Sequence, residues 1–388
     1  MKQNGIPVVK FSMVRKYDWP AIRSRFPACS RFTYLNAAGG SPMCAEASVE
    51  GKRYFDEMLL YGDSCWDEWI ERSEIVRNKL ATFIGASKEE VGFSPNTSTA
   101  MGIIAHLLKD RHAVLTMDEE FPSSTIPWIN QHYDVDFIKS ENGTYTIKSL
   151  EKAIRPEHKI LVASHVQYKS GFRQNLSDLG NFCQSANLLF VVNATQGMGV
   201  FPIDVTKNRI DFMVFSGLKW ACAGYGAAGM FISRKLLQSY QIPIAGWRSV
   251  QSPELMDNRM YKLKSETSAL EAGSPSFPTV FALGGALDLL TRIGRDACMN
   301  RVLFLSRLLE DSLFEQGFPV MYSFPDEHRS GIIMILTSNA RTLVSELSRR
   351  GILVSARGEG LRVSVNIYNN ESDINTFITA LVELRSLV

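Results

Sequence analysis

Lys219 is the residue in this chain best placed for covalent chemistry. It stands in S-G-L-K-W, just past the apolar run 212–215, between Leu218 and Trp220. A lysine in apolar surroundings is rarely buried without a partner, and once desolvated its neutral amine is a ready Schiff-base nucleophile. A second apolar run, 188–192, ends at Asn193 with Gln196 three residues on, and Ser216 closes the first. If the two runs are neighbouring parallel strands, their polar ends meet at one sheet edge, where α/β proteins place their chemistry. That convergence suits an aldehyde cofactor whose ring lies across adjacent strand ends.

Other clusters compete for attention. Asn96-Thr97-Ser98-Thr99 precedes an apolar helical stretch, which suits helix capping and equally an anion site at a helix start. Tyr34 to Gly40 reads as a short strand running into a small-residue turn. Gly224-x-Gly226-x-x-Gly229 matches a dinucleotide fingerprint, but it runs into a strand instead of opening a helix, so a nicotinamide or flavin site is disfavoured. The six histidines have no metal-ligand spacing, and no metal site is expected. His165, at the end of K-I-L-V-A-S-H, suits a structural role as well as a site role.

The elements that must position these groups alternate along the chain. Strand-like runs fall at 113–117, 135–138, 159–164, 188–192, 212–215 and 228–232, separated mostly by helical or loop segments. This predicts a mostly parallel sheet covered by helices. Residues 45–83 are helical in spacing, with Gly62 a candidate break. Beyond about Gly246, helices near 279–293, 298–315, 340–350 and 371–386 interleave with strands near 331–336, 352–355 and 361–367, a smaller α+β domain. With 388 residues, ordinary hydrophobic and charged fractions and a net charge of +2, the chain offers no case for a nucleic-acid or membrane partner. Six scattered cysteines fit reduced thiols, and Met1 to Lys10 lacks the apolar core of a signal peptide, so a cytoplasmic location is expected.

In these residues the sequence resembles the class V aminotransferase group of fold-type I pyridoxal-phosphate (PLP) enzymes, which includes cysteine desulfurases, kynureninases and isopenicillin N epimerase-like proteins. The resemblance implies an α/β fold-type I architecture, with a mostly parallel, seven-stranded-type sheet in a large domain (residues 25–250) and a small domain formed by 1–24 and 251–388. It implies that Lys219 carries PLP as a Schiff base and that Thr97, Ser98 and Ser216 contact the phosphate. Phe121 would stack on the ring, Gln196 would reach its phenolic oxygen, and Asn193 would face its ring nitrogen. Ser274, in Glu271-Ala272-Gly273-Ser274-Pro275, would reach the partner's cofactor in a homodimer with composite sites. Arg362, with Arg357 as a second candidate, would grip the carboxylate of an amino acid or amine substrate, and Asn36, Gln167, Tyr168 and Trp247 are candidates for lining its pocket.

Three departures from the family pattern shape the expected reaction. Asn193 stands where the family has aspartate, so the ring nitrogen is less protonated and transamination is less favoured. No cysteine follows Cys298, so persulfide-forming cysteine desulfuration is expected to be absent. Leu218 replaces a histidine found before the lysine in many relatives. The expectation is lyase-type or epimerase-like chemistry with Lys219 as proton-transfer base; the alternatives are an aminotransferase, or a catalytically weak protein of the same fold with a binding or regulatory role.

Overall fold

Apolar runs of about five residues build the middle of the central sheet. The structure is a computed structural model, and it describes residues 17–111, 113–237 and 239–388. Residues 1–16 of the expected small domain, and His112, lie outside the described residues. The strands are β1 (Val91–Ser94), β2 (Ala113–Met117), β3 (Asp134–Ile138), β4 (Ile160–Ser164), β5 (Leu189–Asn193), β6 (Phe212–Ser216) and β7 (Ala228–Ile232), in the order β1-β7-β6-β5-β4-β2-β3. β7 is antiparallel to both neighbours and every other pairing is parallel. Strands β2, β4, β6 and β7 are buried along their whole length, which is why they are continuous apolar runs without alternation.

The register sets the site. Ser164 lies beside Asn193, and Asn193 beside Val214, so the carboxyl ends of β4, β5 and β6 finish at nearly one level. Between β2 and β4 the strand order stops following the chain, and a crevice forms outside the strand ends at such a switch.

Helices Ala45–Tyr61 and Trp66–Ile84 are separated by a 3-10 turn that begins at Gly62, whose φ of 61° suits a residue without a side chain. Helix Phe277–Ile293 packs across both. Arg77, almost fully buried on the second helix, is held by Glu271 through bonds of 2.5 and 2.9 Å.

Past the central sheet, β8 (Ile332–Leu336), β9 (Ser355–Arg357) and β10 (Gly360–Ser364) form an antiparallel sheet in the order β9-β10-β8. The run expected as one strand at 352–355 divides: Ile352–Leu353 pairs parallel with Thr33–Tyr34, while Ser355 begins β9. The run expected at 361–367 stops at Ser364, where Asn36 bridges to it from the parallel side. Helices Arg295–Glu315, Ala340–Arg349 and Glu371–Glu383 accompany this sheet. Arg23 ties the start of the described chain to the last of them through a two-bond pair with Asp373 at 2.7 and 2.9 Å. Among the described residues no helix is long and apolar enough to cross a membrane, and no cluster of three metal-ligating side chains occurs.

Candidate active site

A cavity of about 270 Å³ opens at the strand ends. It is lined by Lys219, Asn193, Gln196, Ser216, Thr97, Ser98, Phe121, Tyr168, Arg357 and Arg362, brought together from segments up to 265 residues apart in the chain.

Lys219 follows β6 through a tight turn. Gly217 donates to the Ala227 carbonyl at 2.6 Å, and a Cβ on Gly217 would stand only 2.8 Å from that oxygen, so the backbone approach requires glycine. The turn closes through Cys222 N–H to the Lys219 carbonyl at 3.1 Å. Burial holds the Lys219 amine down to about 7, with Arg362 and then Arg357 adding to the same direction. Its Nζ stands 5.4 Å from the centroid of the Phe121 ring, and that ring meets Tyr168 edge-on at 5.3 Å.

Arg362 is 1% exposed on β10, at the back of the cavity. One guanidinium nitrogen donates to the Tyr168 carbonyl at 2.9 Å, and Nε has no partner. Burial, and then the charge of Arg357, lower its pKa to about 9. No carboxylate pairs with Lys219 or Arg362 among the described residues, and the charges acting on Lys219 are both cationic. A cavity in which Lys219, Arg362 and the exposed Arg357 face one another with no carboxylate partner among the described residues is built for an anionic ligand.

The helix Thr97–Leu107 points its N-terminus into the same cavity. Asn96 caps it by accepting from Thr99 N–H at 2.8 Å, the Thr97 hydroxyl meets that of Thr195 at 2.8 Å, and the Ser98 hydroxyl meets that of Ser123 at 2.7 Å. Hydroxyls and free backbone N–H groups at a helix start favour phosphate. Gln196 is fixed from both sides: its Oε1 accepts from Trp220 Nε1 at 2.7 Å and its Nε2 donates to the Ala38 carbonyl at 3.1 Å.

Asn193 sits at the end of β5, buried, with its side chain fully oriented. Its Oδ1 accepts from Thr195 N–H at 3.0 Å and its Nδ2 donates to Ser124 Oγ at 2.9 Å. Behind it lies Glu120, a buried carboxylate that bridges the β2–β4 crevice. It accepts from Ser164 N–H at 2.7 Å, from the Ser164 hydroxyl, and from Gln167 Nε2 at 3.0 Å. Burial raises its pKa, while the donors from Ser164, Gln167 and Ser124 favour the charged form.

Several expected residues stand elsewhere. Asn36 does not line the cavity; it packs beneath the Gly39 turn, its amide against the position a Gly39 Cβ would take. Gln167 is spent on Glu120, and Trp247 stacks on Trp66 outside the cavity. Ser274 is exposed and absent from its own chain's cavity. His165 is buried behind the sheet edge, its pKa lowered to about 3 by burial and then by Arg173, and it does not line the cavity. The glycine fingerprint is a turn that runs into β7, where Gly229 lies, instead of opening a helix. Missed by sequence reasoning were Ser164, Thr195 and Tyr225, which line the cavity, and Glu120 and Ser124 behind it. Ser164 alone carried a signal, as a polar residue ending an otherwise apolar strand.

A lysine at the end of such a sheet, under an aromatic ring and facing a helix N-terminus, defines the site of a fold-type I PLP enzyme. The aminotransferase class-V family model matches residues 33–377, and the chain belongs to that family. An uncharacterised aminotransferase, YcbU of Bacillus subtilis, is 26% identical over 91% of this chain and 94% of its own. A probable cysteine desulfurase of Pyrococcus abyssi is 25% identical over 81% of this chain and 83% of its own. The apo structure of a cysteine desulfurase from Thermococcus onnurineus superposes with a TM-score of 0.87 at 21% identity, covering 95% and 98% of the two chains.

PLP is therefore the cofactor. The expectation that persulfide-forming desulfuration is excluded does not stand, because relatives and structural neighbours alike include cysteine desulfurases. Scaffold and cofactor set the chemistry at Cα, whereas the expectation rested on one loop after Arg357, too narrow a basis to remove a reaction class.

Proposed function

We propose that this protein is a PLP-dependent enzyme that converts a small amino acid or amine by lyase-type or epimerase-like chemistry at Cα and Cβ. The observation that carries the reading is a desolvated lysine and a buried arginine sharing one cavity, neither paired with a carboxylate. In this reading Thr97, Ser98, Ser216 and the helix N–H groups would hold the cofactor phosphate, Phe121 would cover the ring, and Gln196 and Asn193 would meet its polar edges. PLP, when bound, supplies an electron-withdrawing ring that stabilises negative charge at the substrate Cα.

The remaining work belongs to side chains. Arg362 offers a planar pair of donors to the substrate carboxylate, with Arg357 at the mouth of the cavity. Lys219, whose pKa is lowered by burial and then by Arg362 and Arg357, accepts the Cα proton on Nζ. In an elimination it passes that proton to the group that leaves Cβ with its bonding electrons; in an epimerisation it keeps the proton and one from solvent reaches the opposite face of Cα.

Two chains acting together complete the proposal, with Ser274 of each reaching the other's phosphate. It is supported by the run of exposed apolar side chains on helix Ala45–Tyr61, including Phe55, Leu59 and Leu60. The test is a panel of amino acids with products identified by mass, run beside Lys219→Ala. The reading requires product from wild type, and loss of both turnover and the Schiff-base absorbance band in the variant. Turnover that survives in Lys219→Ala would refute it.

A further inference from the structure

The hydrogen bonds of Asn193 have a direction. A backbone N–H can only donate, so the bond from Thr195 commits Asn193 Oδ1 as an acceptor and fixes which end of the amide is which. Nδ2 then lies on the side of Ser124, whose hydroxyl oxygen accepts one of its hydrogens. Ser124 is fully buried, and its own hydrogen favours the charged form of Glu120. Glu120 gathers donors from Ser164 and Gln167 as well, so the whole cluster donates toward that carboxylate. What remains is the second Nδ2 hydrogen of Asn193, on a residue that lines the cavity. An N–H left without a partner in a buried site is unfavourable, so an occupant that accepts there is favoured over one that donates.

We propose that Thr195, Ser124 and Glu120 hold the Asn193 amide as a hydrogen-bond donor toward the pyridine nitrogen of the cofactor, so that this nitrogen is kept without a proton. The inference rests on the cofactor lying across Lys219 and Asn193 as set out above. Ser124 and Glu120 are positioning residues: they act on the ring only through Asn193. An unprotonated ring draws less charge from Cα, which leaves more of the deprotonation to the basicity of Lys219. Aspartate at 193 would reverse the arrangement, because a second carboxylate beside Ser124 competes with Glu120 for one hydroxyl hydrogen and attracts a proton onto the ring.

The test is the ¹⁵N NMR shift of cofactor labelled at the ring nitrogen, bound to wild type, Asn193→Asp, Ser124→Ala and Ser124→Thr. Borohydride reduction and peptide mapping first establish that the label sits on Lys219 in each. Wild type is expected in the unprotonated pyridine range and Asn193→Asp in the pyridinium range. Ser124→Ala should move toward the shift of an unbonded pyridine, and Ser124→Thr should restore the wild-type value. A pyridinium shift in wild type overturns the proposal while leaving Lys219 as anchor. So does a shift that ignores both position 193 and position 124. Label found on a residue other than Lys219 overturns the proposal together with the reading beneath it.

Discussion

Replacing Lys219 with methionine in cofactor-free protein should stabilise the fold. The native amine titrates at about 7 because it is buried beside Arg362 and Arg357. An unfolded lysine titrates at about 10.4, so at pH 7 the difference amounts to ~4 kcal/mol of destabilisation. Methionine fills a similar volume with no charge to desolvate. For a chain of 388 residues, ~4 kcal/mol corresponds to a rise of about 5 °C in the unfolding midpoint. The sign depends on pH. Below 7 the amine is charged in both states and the penalty is complete. Above 7 the native lysine sheds its proton while the unfolded one keeps it, so wild type gains stability and the methionine advantage shrinks toward zero near 10.4. Thermal unfolding of both proteins from pH 6 to 10 measures this directly, since other groups cancel in the difference. Equal midpoints at pH 7, or an advantage that stays constant with pH, would refute the account of Lys219.

Other outcomes follow from the same geometry. Arg362→Met should raise KM for the amino-acid substrate by about 100-fold, the loss of a paired charge-assisted contact. Arg357→Gln should raise it much less; steady-state kinetics that reverse this order would reassign the carboxylate. Arg362→Met should also move the acidic limb of the pH–rate profile upward, because Arg362 is the larger charge holding the lysine down. Phe121→Leu should weaken cofactor retention by about tenfold, as expected for losing an aromatic stacking partner, and equilibrium dialysis reads it. Glu271→Gln leaves buried Arg77 with only the more exposed Glu74, at 3.1 Å, as its counter-ion, and should cost about 2 kcal/mol in a denaturant titration; an unchanged midpoint would show the Arg77–Glu271 pair to be dispensable.

The sheet was legible because its central strands are buried on both faces, which forces uninterrupted apolar runs such as 113–117 and 228–232. β1 was not, since Val91-Gly92-Phe93-Ser94 is too short and glycine-broken to carry that signal. The run 352–355 could not be resolved into two strands from its composition, because the division comes from which partner each half meets. In the site, Lys219, Ser216 and Asn193 were readable because each is polar at or just past the end of an apolar run. Glu120 and Ser124 were not, because their meaning lies in bonds to residues 44 and 69 positions away. Asn36 was misplaced for the converse reason: its segment does reach the cavity, but through Ala38 and Gly39.

The central claim is that Lys219 carries the cofactor. Reducing the holoenzyme with borohydride and mapping its peptides by mass tests it in one step. The account predicts a phosphopyridoxyl adduct on the peptide containing Lys219, at one per chain, and none on the Lys219→Ala protein. An adduct on another lysine, or an equal adduct on the variant, would contradict it.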